Sequence, residues 1–163
     1  IGAEFEKGTL FLPQLIMSAG VAQAAFEVIR KHMVMSDNAP VSKGKIVIAT
    51  VKGDVHDIGK NIVKVLLENY GYDVIDLGKD VEYQAVVDAI RDNDVKLCGL
   101  SALMTTTLVS MKETIALIRE NNLDCKVMVG GAVLTPEYAK EIDADFYAKD
   151  AKESVDIAKR VLG

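Results

Sequence analysis

Cysteine and histidine are scarce in this chain, whose 163 residues include two of each. Cys98 and Cys125 form no CxxC motif, and they are too few for a disulfide scaffold. Zinc ligation would need more ligands than the loops offer. Both cysteines lie in apolar segments, so we predict buried, unreactive thiols in a reducing compartment, which fits a cytoplasmic protein.

The chain also lacks an excess of positive charge and any long apolar run. Its formal net charge is −5 at pH 7, with lysine and arginine scattered singly, which argues against nucleic acid as a partner. The apolar runs are far shorter than the ~20 residues that span a bilayer, and no signal-peptide pattern opens the sequence, so we expect no membrane partner. Because the first residue is Ile1 rather than Met, we expect the chain to begin inside a longer protein.

The first part of the chain has the apolar spacing of a helix. From Pro13 to about Met35 apolar residues recur every three or four positions. Pro13 suits the first turn, and His32 would face the negative end of the helix dipole in the last turn. Breaker residues follow in Ser36–Gly44. We therefore predict a helical domain fragment at residues 1–37, a linker at 38–44 and a second domain at 45–163.

From residue 45 onward, short apolar runs rich in valine and isoleucine alternate with helical segments. The predicted strands are Lys45–Ala49, Asp73–Asp76, Lys96–Leu100, Lys126–Val129 and Asp145–Tyr147, and the predicted helices are about Ile58–Tyr70, Glu82–Asn93, Thr107–Asn121, Pro136–Glu141 and Ala151–Leu162. This pattern predicts an α/β fold with a parallel, flavodoxin-like sheet of order 2-1-3-4-5 and helices on both faces. Ligands of such sheets bind beyond the carboxyl ends of the strands. We therefore expect a ligand site to be formed by the loops Thr50–Gly59, Ser101–Thr107 and Gly130–Thr135.

The first of these loops contains His56, which alone could also be an ordinary surface histidine. Asp54, two residues earlier, is near enough to accept the Nδ1 proton of the imidazole and leave Nε2 as a metal ligand or base. Asp57 directly precedes a predicted helix and is expected to be its N-cap. Gly59 either starts that helix by chance or leaves room for a bulky group near the backbone.

The other two loops contribute hydroxyl groups and glycines. Ser101 and Leu103 follow the third strand, and of the three threonines Thr105–Thr107 we expect at least one to cap the next helix. The fourth strand ends in Gly130 and Gly131, which suit a turn or a backbone kept bare for a ligand. Together the loops predict a narrow slot beside the sheet with His56 at its mouth.

Other functions of the same fold lack their characteristic residues here. A response regulator needs acidic residues after the first and third strands, where this chain has Thr50 and Ser101. A flavodoxin needs a phosphate loop, but the carboxylate of Asp54 would repel an anion. A nucleophilic hydrolase would need a serine or cysteine close to a base, but Ser101 is on a different loop from His56, and we find no oxyanion loop.

The three loops resemble the signature of cobalamin-binding domains. The run Asp54–Gly59 resembles the DxHxxG element, Ser101–Leu103 the SxL element, and Gly130 with Gly131 the GG element. The longer run Val51–Asn61 resembles the cobalamin module of methionine synthase and of corrinoid methyltransferase proteins. Upstream, the runs Phe5–Gly8 and Phe11–Gln14 resemble the end of the helical cap that precedes this module. The first part of a full cap is not present in the sequence.

The resemblance implies a cobalamin or related corrinoid cofactor bound base-off, with His56 as the lower axial ligand of cobalt. Asp54 would hold the other ring nitrogen, and Thr107 would occupy the third place of the relay, a serine in methionine synthase. Phe5 and Leu12 would lie over the upper face of the corrin. Further cofactor contacts are implied at Val55, Asp57, Ile58, Gly59, Ser101, Leu103, Thr105, Thr106, Gly130 and Gly131.

The same resemblance implies a methyl carrier that is one subunit of a methyltransferase system rather than a complete enzyme. Its expected partners are a donor methyltransferase, an acceptor methyltransferase using tetrahydrofolate or a thiol, and a reductive activase. A cobalamin module of a larger enzyme, such as methionine synthase or a mutase, and a cobalamin-sensing regulator remain alternatives. The end of the chain directly after the last helix favours the separate carrier. The methyl donor, whether methanol, a methylamine or a methoxylated aromatic, is not encoded in these residues.

Overall fold

The computed structural model describes residues 42–163 and, before them, Phe11, Gln14, Met17, Ser18, Gly20, Val21, Ala24, Ala25 and Val28. The chain divides into two compact units, Ile1–Val41 and Ser42–Gly163. Four positions considered above, Phe5, Leu12, Pro13 and His32, lie outside the described residues.

In the first unit, the described positions from Gln14 to Val28 are helical, as the apolar spacing predicts. The N–H of Phe11 donates to Oε1 of Gln14 at 2.9 Å, and the N–H of Gln14 donates to the carbonyl oxygen of Phe11 at 3.0 Å. A glutamine that reaches back to the N–H three residues earlier is a known way to begin a helix.

The second unit consists of five strands that alternate with five helices. The strands are β1 (Lys45–Thr50), β2 (Asp73–Asp76), β3 (Leu97–Ser101), β4 (Lys126–Gly130) and β5 (Phe146–Tyr147). The helices are α1 (Ile58–Asn69), α2 (Tyr83–Asn93), α3 (Leu108–Glu120), α4 (Pro136–Glu141) and α5 (Ala151–Leu162), with a 3-10 turn at Thr105–Thr107 before α3. All strand pairs are parallel and the order is β2-β1-β3-β4-β5, so the predicted fold is confirmed.

Both faces of the sheet are covered because strand residues are apolar on both sides. Val47 and Ala49 of β1 belong to the core beneath α2, α3 and α4, whereas Ile46 and Ile48 belong to the core beneath α1 and α5. The predicted free thiols are confirmed. Burial raises the pKa of the Cys98 thiol well above its ordinary value and that of Cys125 to about 12. Among the described helices, none has the length and apolarity needed to cross a bilayer.

The strands next to the predicted site extend one residue further than the sequence pattern suggested. Thr50 pairs with Ser101, and Ser101 pairs with Gly130. The ladder continues because the N–H of Val51 donates to the carbonyl oxygen of Ser101 at 3.1 Å. As a result, the hydroxyl groups of Thr50 and Ser101 are held at the last rung of the sheet, where their oxygens lie 2.9 Å apart.

Two capping predictions are wrong. Asp57 occupies the N-cap position of α1 but makes no side-chain capping bond, because its backbone (φ −112°, ψ 0°) is helical rather than extended. Thr107, at the N-cap position of α3, also has a helical backbone and no capping bond. No side-chain cap begins the 3-10 turn of Thr105 and Thr106 either. The hydroxyl of Thr107 is used instead by a carboxylate from another loop.

Candidate functional site

The loops that follow β1 and β3 are joined by the side chain of Asp54, which is completely buried. Its Oδ1 accepts hydrogen bonds from the first loop only: the N–H of His56 lies at 3.0 Å and Nδ1 of the His56 ring at 2.8 Å. Its Oδ2 faces the other loop and accepts from the N–H groups of Leu103 (2.7 Å) and Met104 (3.2 Å). One carboxylate therefore fixes a histidine to the adjacent strand end.

The electrostatics of Asp54 favour its charged form in spite of its burial. Burial by itself would raise the pKa of this carboxyl. The N–H groups of His56 and Leu103, the His56 ring and the Thr107 hydroxyl donate to the ionised form, and together they hold the pKa of Asp54 well below its usual range. Asp54 is therefore a fixed negative charge at neutral pH.

His56 has one ring nitrogen occupied and one available. Its side chain is 45% exposed, and Nδ1 is engaged by Asp54. Within residues 42–163 and the other described positions, Nε2 has no hydrogen-bond partner. A carboxylate that holds the proton on Nδ1 leaves the lone pair on Nε2, which is the arrangement of a metal ligand or a general base.

Thr107 completes the predicted group of three. Its buried hydroxyl lies 2.9 Å from Oδ2 of Asp54 and also 2.9 Å from the carbonyl oxygen of Met104. A hydroxyl carries a single hydrogen, and both of these oxygens accept, so the Thr107 hydrogen is shared between Oδ2 of Asp54 and the carbonyl oxygen of Met104. The structure thus brings Asp54, His56 and Thr107 together, as predicted.

Comparison with known proteins identifies the family to which this geometry belongs. Residues 44–156 match the family model of the B12 binding domain. The chain belongs to the B12-binding domain family. Dimethylamine corrinoid protein 1 of Methanosarcina acetivorans is 43% identical over 164 residues, which cover 99% of this chain and 76% of the relative.

Two solved structures support the same assignment. A cobalamin-binding protein from Desulfitobacterium hafniense superimposes with a TM-score of 0.78 at 34% identity, covering 99% of this chain and 76% of that one. The methanol:cobalamin methyltransferase complex of Methanosarcina barkeri gives a TM-score of 0.82 at 32% identity, covering 98% of this chain and 61% of that one. The predicted family and the predicted cofactor, a cobalamin or related corrinoid, are confirmed.

The surface around His56 suits the cofactor of a B12-binding domain. Val55, Ile58 and Leu103 are large apolar side chains, and 55%, 54% and 43% of their respective areas remain exposed on the loops beside His56. Exposed apolar side chains grouped on neighbouring loops indicate a binding surface for a partly apolar ligand. The same loops carry the imidazole whose Nε2 is available, so the residues present fit a flat macrocycle with a metal at its centre.

Different structural features account for the absence of a side chain at the three signature glycines. At Gly59 no atom lies within 4 Å of the place where a Cβ would be, so the missing side chain leaves room for a ligand. Gly131 has φ +139°, and a Cβ there would overlap the carbonyl oxygen of Ala102. A Cβ on Gly130 would lie 3.1 Å from the carbonyl oxygen of Ala148. Gly131 is therefore required by the packing of two loops, whatever it contributes to a ligand.

The remaining predicted contacts lie at the same edge of the sheet. Thr105 and Thr106 are exposed at the start of the 3-10 turn, and Asp57 is half-buried at the start of α1. Phe5 and Leu12 lie outside the described residues. Sequence reasoning did not anticipate the main-chain donors of Leu103 and Met104, because the SxL pattern shows which residues are small or apolar and does not show which N–H groups are free.

Proposed function

We propose that this chain is a methyl-carrying corrinoid protein in which Nε2 of His56 holds the cobalt from below. In this base-off, His-on arrangement His56 would supply the nitrogen that holds the cobalt, in place of the cofactor's own base. One observation carries the proposal: Nδ1 of a half-exposed imidazole lies 2.8 Å from a fully buried carboxylate, and Nε2 is left for a ligand. The bound cobalt would supply the methyl-transfer chemistry.

The protein's own contribution is to orient the imidazole of His56, to hold the proton on Nδ1 and to stabilise a second proton on Nε2. While Nε2 is a ligand, Asp54 keeps the proton of the neutral ring on Nδ1. With no metal on it, Nε2 could accept a proton, and the fixed charge of Asp54 would stabilise the imidazolium. Thr107 moderates that charge through its hydroxyl, 2.9 Å from Oδ2.

The nucleotide tail is proposed to enter the sheet edge beside α1. The open space at Gly59 supports this path, and so does the half-buried hydroxyl of Ser101, a polar group at the strand end that a tail could contact. Leu103, Gly130 and Gly131 would line the slot from the neighbouring loops.

The proposed partners are a donor methyltransferase, an acceptor methyltransferase and a reductive activase. The relative from Methanosarcina acetivorans is named a dimethylamine corrinoid protein, and the solved structure from Methanosarcina barkeri is named a methanol:cobalamin methyltransferase complex. The two names refer to different methylated compounds, dimethylamine and methanol. We therefore propose a small methylated compound as the ultimate donor and place its recognition on the partner enzyme.

The proposal is tested by replacing His56 with glycine and recording the absorption spectrum of the corrinoid-loaded protein. We expect the variant to bind corrinoid with a spectrum that differs from wild type, because it loses the axial nitrogen. His32→Ala is the matched control, since it removes the other histidine of the chain and is expected to leave the spectrum unchanged. Identical spectra for wild type and His56→Gly from about pH 5 to about pH 9, across which a histidine titrates, would contradict axial ligation by His56.

A further inference from the structure

The loop that follows β2 lies against the loop that contains His56 and bonds to it in both directions. The N–H of Gly53 donates to Oδ1 of Asp80 at 2.7 Å. In return, the N–H of Asp80 donates to the carbonyl oxygen of Asp54 at 3.0 Å. We call this pair of hydrogen bonds the Asp80 clamp. It grips the main chain on both sides of the Gly53–Asp54 peptide bond.

The loop that carries Asp80 is itself hydrogen-bonded to the end of β1. The N–H of Thr50 donates to the carbonyl oxygen of Gly78 at 3.0 Å, and the N–H of Val81 donates to the carbonyl oxygen of Thr50 at 3.2 Å. Val51 and Val81 then form an isolated parallel bridge. The loop after β2 therefore follows β1 beyond its last strand residue, which gives Asp80 a fixed position beside Gly53.

The backbone of Asp80 also indicates a specific role for its side chain. Its φ is +54°, a left-handed conformation that residues other than glycine, asparagine and aspartate rarely adopt. Glycine would adopt this conformation with less strain but would offer no acceptor to Gly53. The residue found here combines tolerance of the left-handed backbone with an acceptor for the His56 loop.

We propose that Asp80 is a positioning residue for the cobalt ligand, acting through Gly53 and Asp54. The carboxylate of Asp54 is fixed to the loop after β3, and its main chain is fixed by the Asp80 clamp. Both the ring and the N–H of His56 are bonded to that carboxylate. Asp80 thus restricts the positions available to Nε2 without touching the histidine. This inference rests on the proposed role of His56.

A neighbouring ion pair supplies the control. Nζ of Lys52 lies 2.7 Å from Oε2 of Glu82 and 5.4 Å from the ring centre of Tyr83. The side chains of Lys52 and Glu82 are 43% and 65% exposed, and an ion pair this accessible to water contributes little to stability. Glu82→Gln alters a charge on the same loop and leaves the Asp80 clamp intact.

The experiment compares Asp80→Asn, Asp80→Gly and Asp80→Ala in the full chain loaded with a corrinoid. The readout is the pH at which half of the protein loses axial ligation, followed by absorbance well below the melting temperature. Asn keeps an acceptor and tolerates the backbone, so we expect it and Glu82→Gln to match wild type. Gly relieves the backbone and removes the acceptor, whereas Ala removes the acceptor and also strains the left-handed backbone. Losing one hydrogen bond should weaken ligation about three- to tenfold and raise the midpoint by roughly half to one pH unit in both.

Hydrogen exchange in wild type tests the same inference without relying on the stability of any variant. We expect the Gly53 amide to be protected, since it donates to Asp80. A Gly53 amide that exchanges at the rate of an unprotected amide would overturn the proposal, as would unchanged midpoints in Asp80→Gly and Asp80→Ala. A shift in Asp80→Asn equal to that in Asp80→Gly would overturn it too, because charge rather than the acceptor would then matter. If His56→Gly itself matched wild type, the proposed function would fail instead.

Discussion

At the scale of single residues, Asp54 decides what His56 can do. It is buried and charged, and it accepts bonds from two loops that come together only in the folded chain. The imidazole is thereby given one defined proton position and one open nitrogen. A histidine in the same loop without this carboxylate would be a freely rotating surface group.

Thr107 gives a test of how that charge is controlled. Thr107→Val removes the donor to Oδ2 of Asp54, so the carboxylate should hold the Nδ1 proton more strongly and favour the imidazolium over the metal-bound ring. Losing this bond should raise the pH midpoint of His56 release by about half to one pH unit, with the corrinoid still bound. Thr107→Ser keeps the hydroxyl and should behave as wild type in the same absorbance titration. Complete loss of the corrinoid from Thr107→Val would indicate instead that Thr107 lines the slot.

At the scale of loops and helices, two signature glycines should respond differently to alanine. Gly59 lies in the first turn of α1 beside open space, so Gly59→Ala should stabilise the cofactor-free protein by up to about 1 kcal/mol. If the nucleotide tail passes there, the added methyl group should weaken corrinoid binding about tenfold.

Gly131→Ala is the contrasting variant. The new Cβ would overlap Ala102, and the backbone has φ +139°, so we expect the cofactor-free protein to lose about 2 kcal/mol or more. Urea unfolding measures both stabilities, and equilibrium titration with corrinoid measures binding. If wild type and Gly59→Ala bound the corrinoid equally well, the nucleotide tail would not pass beside Gly59.

At the end of the sheet opposite the site, Asp145 lies in a group of charged hydrogen bonds. Asp145 accepts from Nζ of Lys126 (2.9 Å), the N–H of Val127 (2.8 Å) and Nη2 of Arg119 (2.7 Å). Burial opposes ionisation, but these donors prevail and lower the pKa of Asp145. Its stabilising effect is therefore complete above the unfolded-state pKa of about 3.9 and is lost as the pH falls through the lower folded-state value.

Asp145→Asn should accordingly destabilise the protein at neutral pH by about 1 to 3 kcal/mol. The difference from wild type should shrink as the pH falls below about 4, where the wild-type carboxyl takes up its proton. Urea unfolding at a series of pH values measures it. A difference that stays constant down to about pH 2 would show that the charge of Asp145 is not what stabilises this corner.

At the scale of the whole molecule, the second unit contains every described residue of the site. It runs from Ser42 to Gly163, and the family match covers 44–156. We predict that residues 42–163 produced alone fold in a single cooperative transition and show the His56-dependent absorption change on loading. Failure to fold, or a spectrum indifferent to His56→Gly in this fragment only, would show that the upstream residues are needed for ligation.

Much of this architecture could be predicted from the sequence because the signals are local. The short apolar runs and the helical spacing of apolar residues predict all five strand–helix pairs. For α4 and α5 the predicted bounds, Pro136–Glu141 and Ala151–Leu162, are also the observed ones. The rule for parallel sheets then placed His56 at the switch point. One error arises where a distant loop uses a side chain: Thr107 serves Asp54 instead of a helix end. The bond from Gly53 to Asp80 was not predicted, because no sequence motif marks the turn that contains Asp80.

The central claim is that the axial nitrogen comes from His56, and electron paramagnetic resonance of the loaded protein in its cobalt(II) form tests it most directly. An axial ¹⁴N splits each cobalt line into three, whereas ¹⁵N splits it into two. In protein labelled with ¹⁵N-histidine and loaded with unlabelled corrinoid, we predict doublets in wild type and in His32→Ala, and their loss in His56→Gly. Triplets in the labelled wild type would show that the cofactor's own base remains on the metal, which would contradict the account.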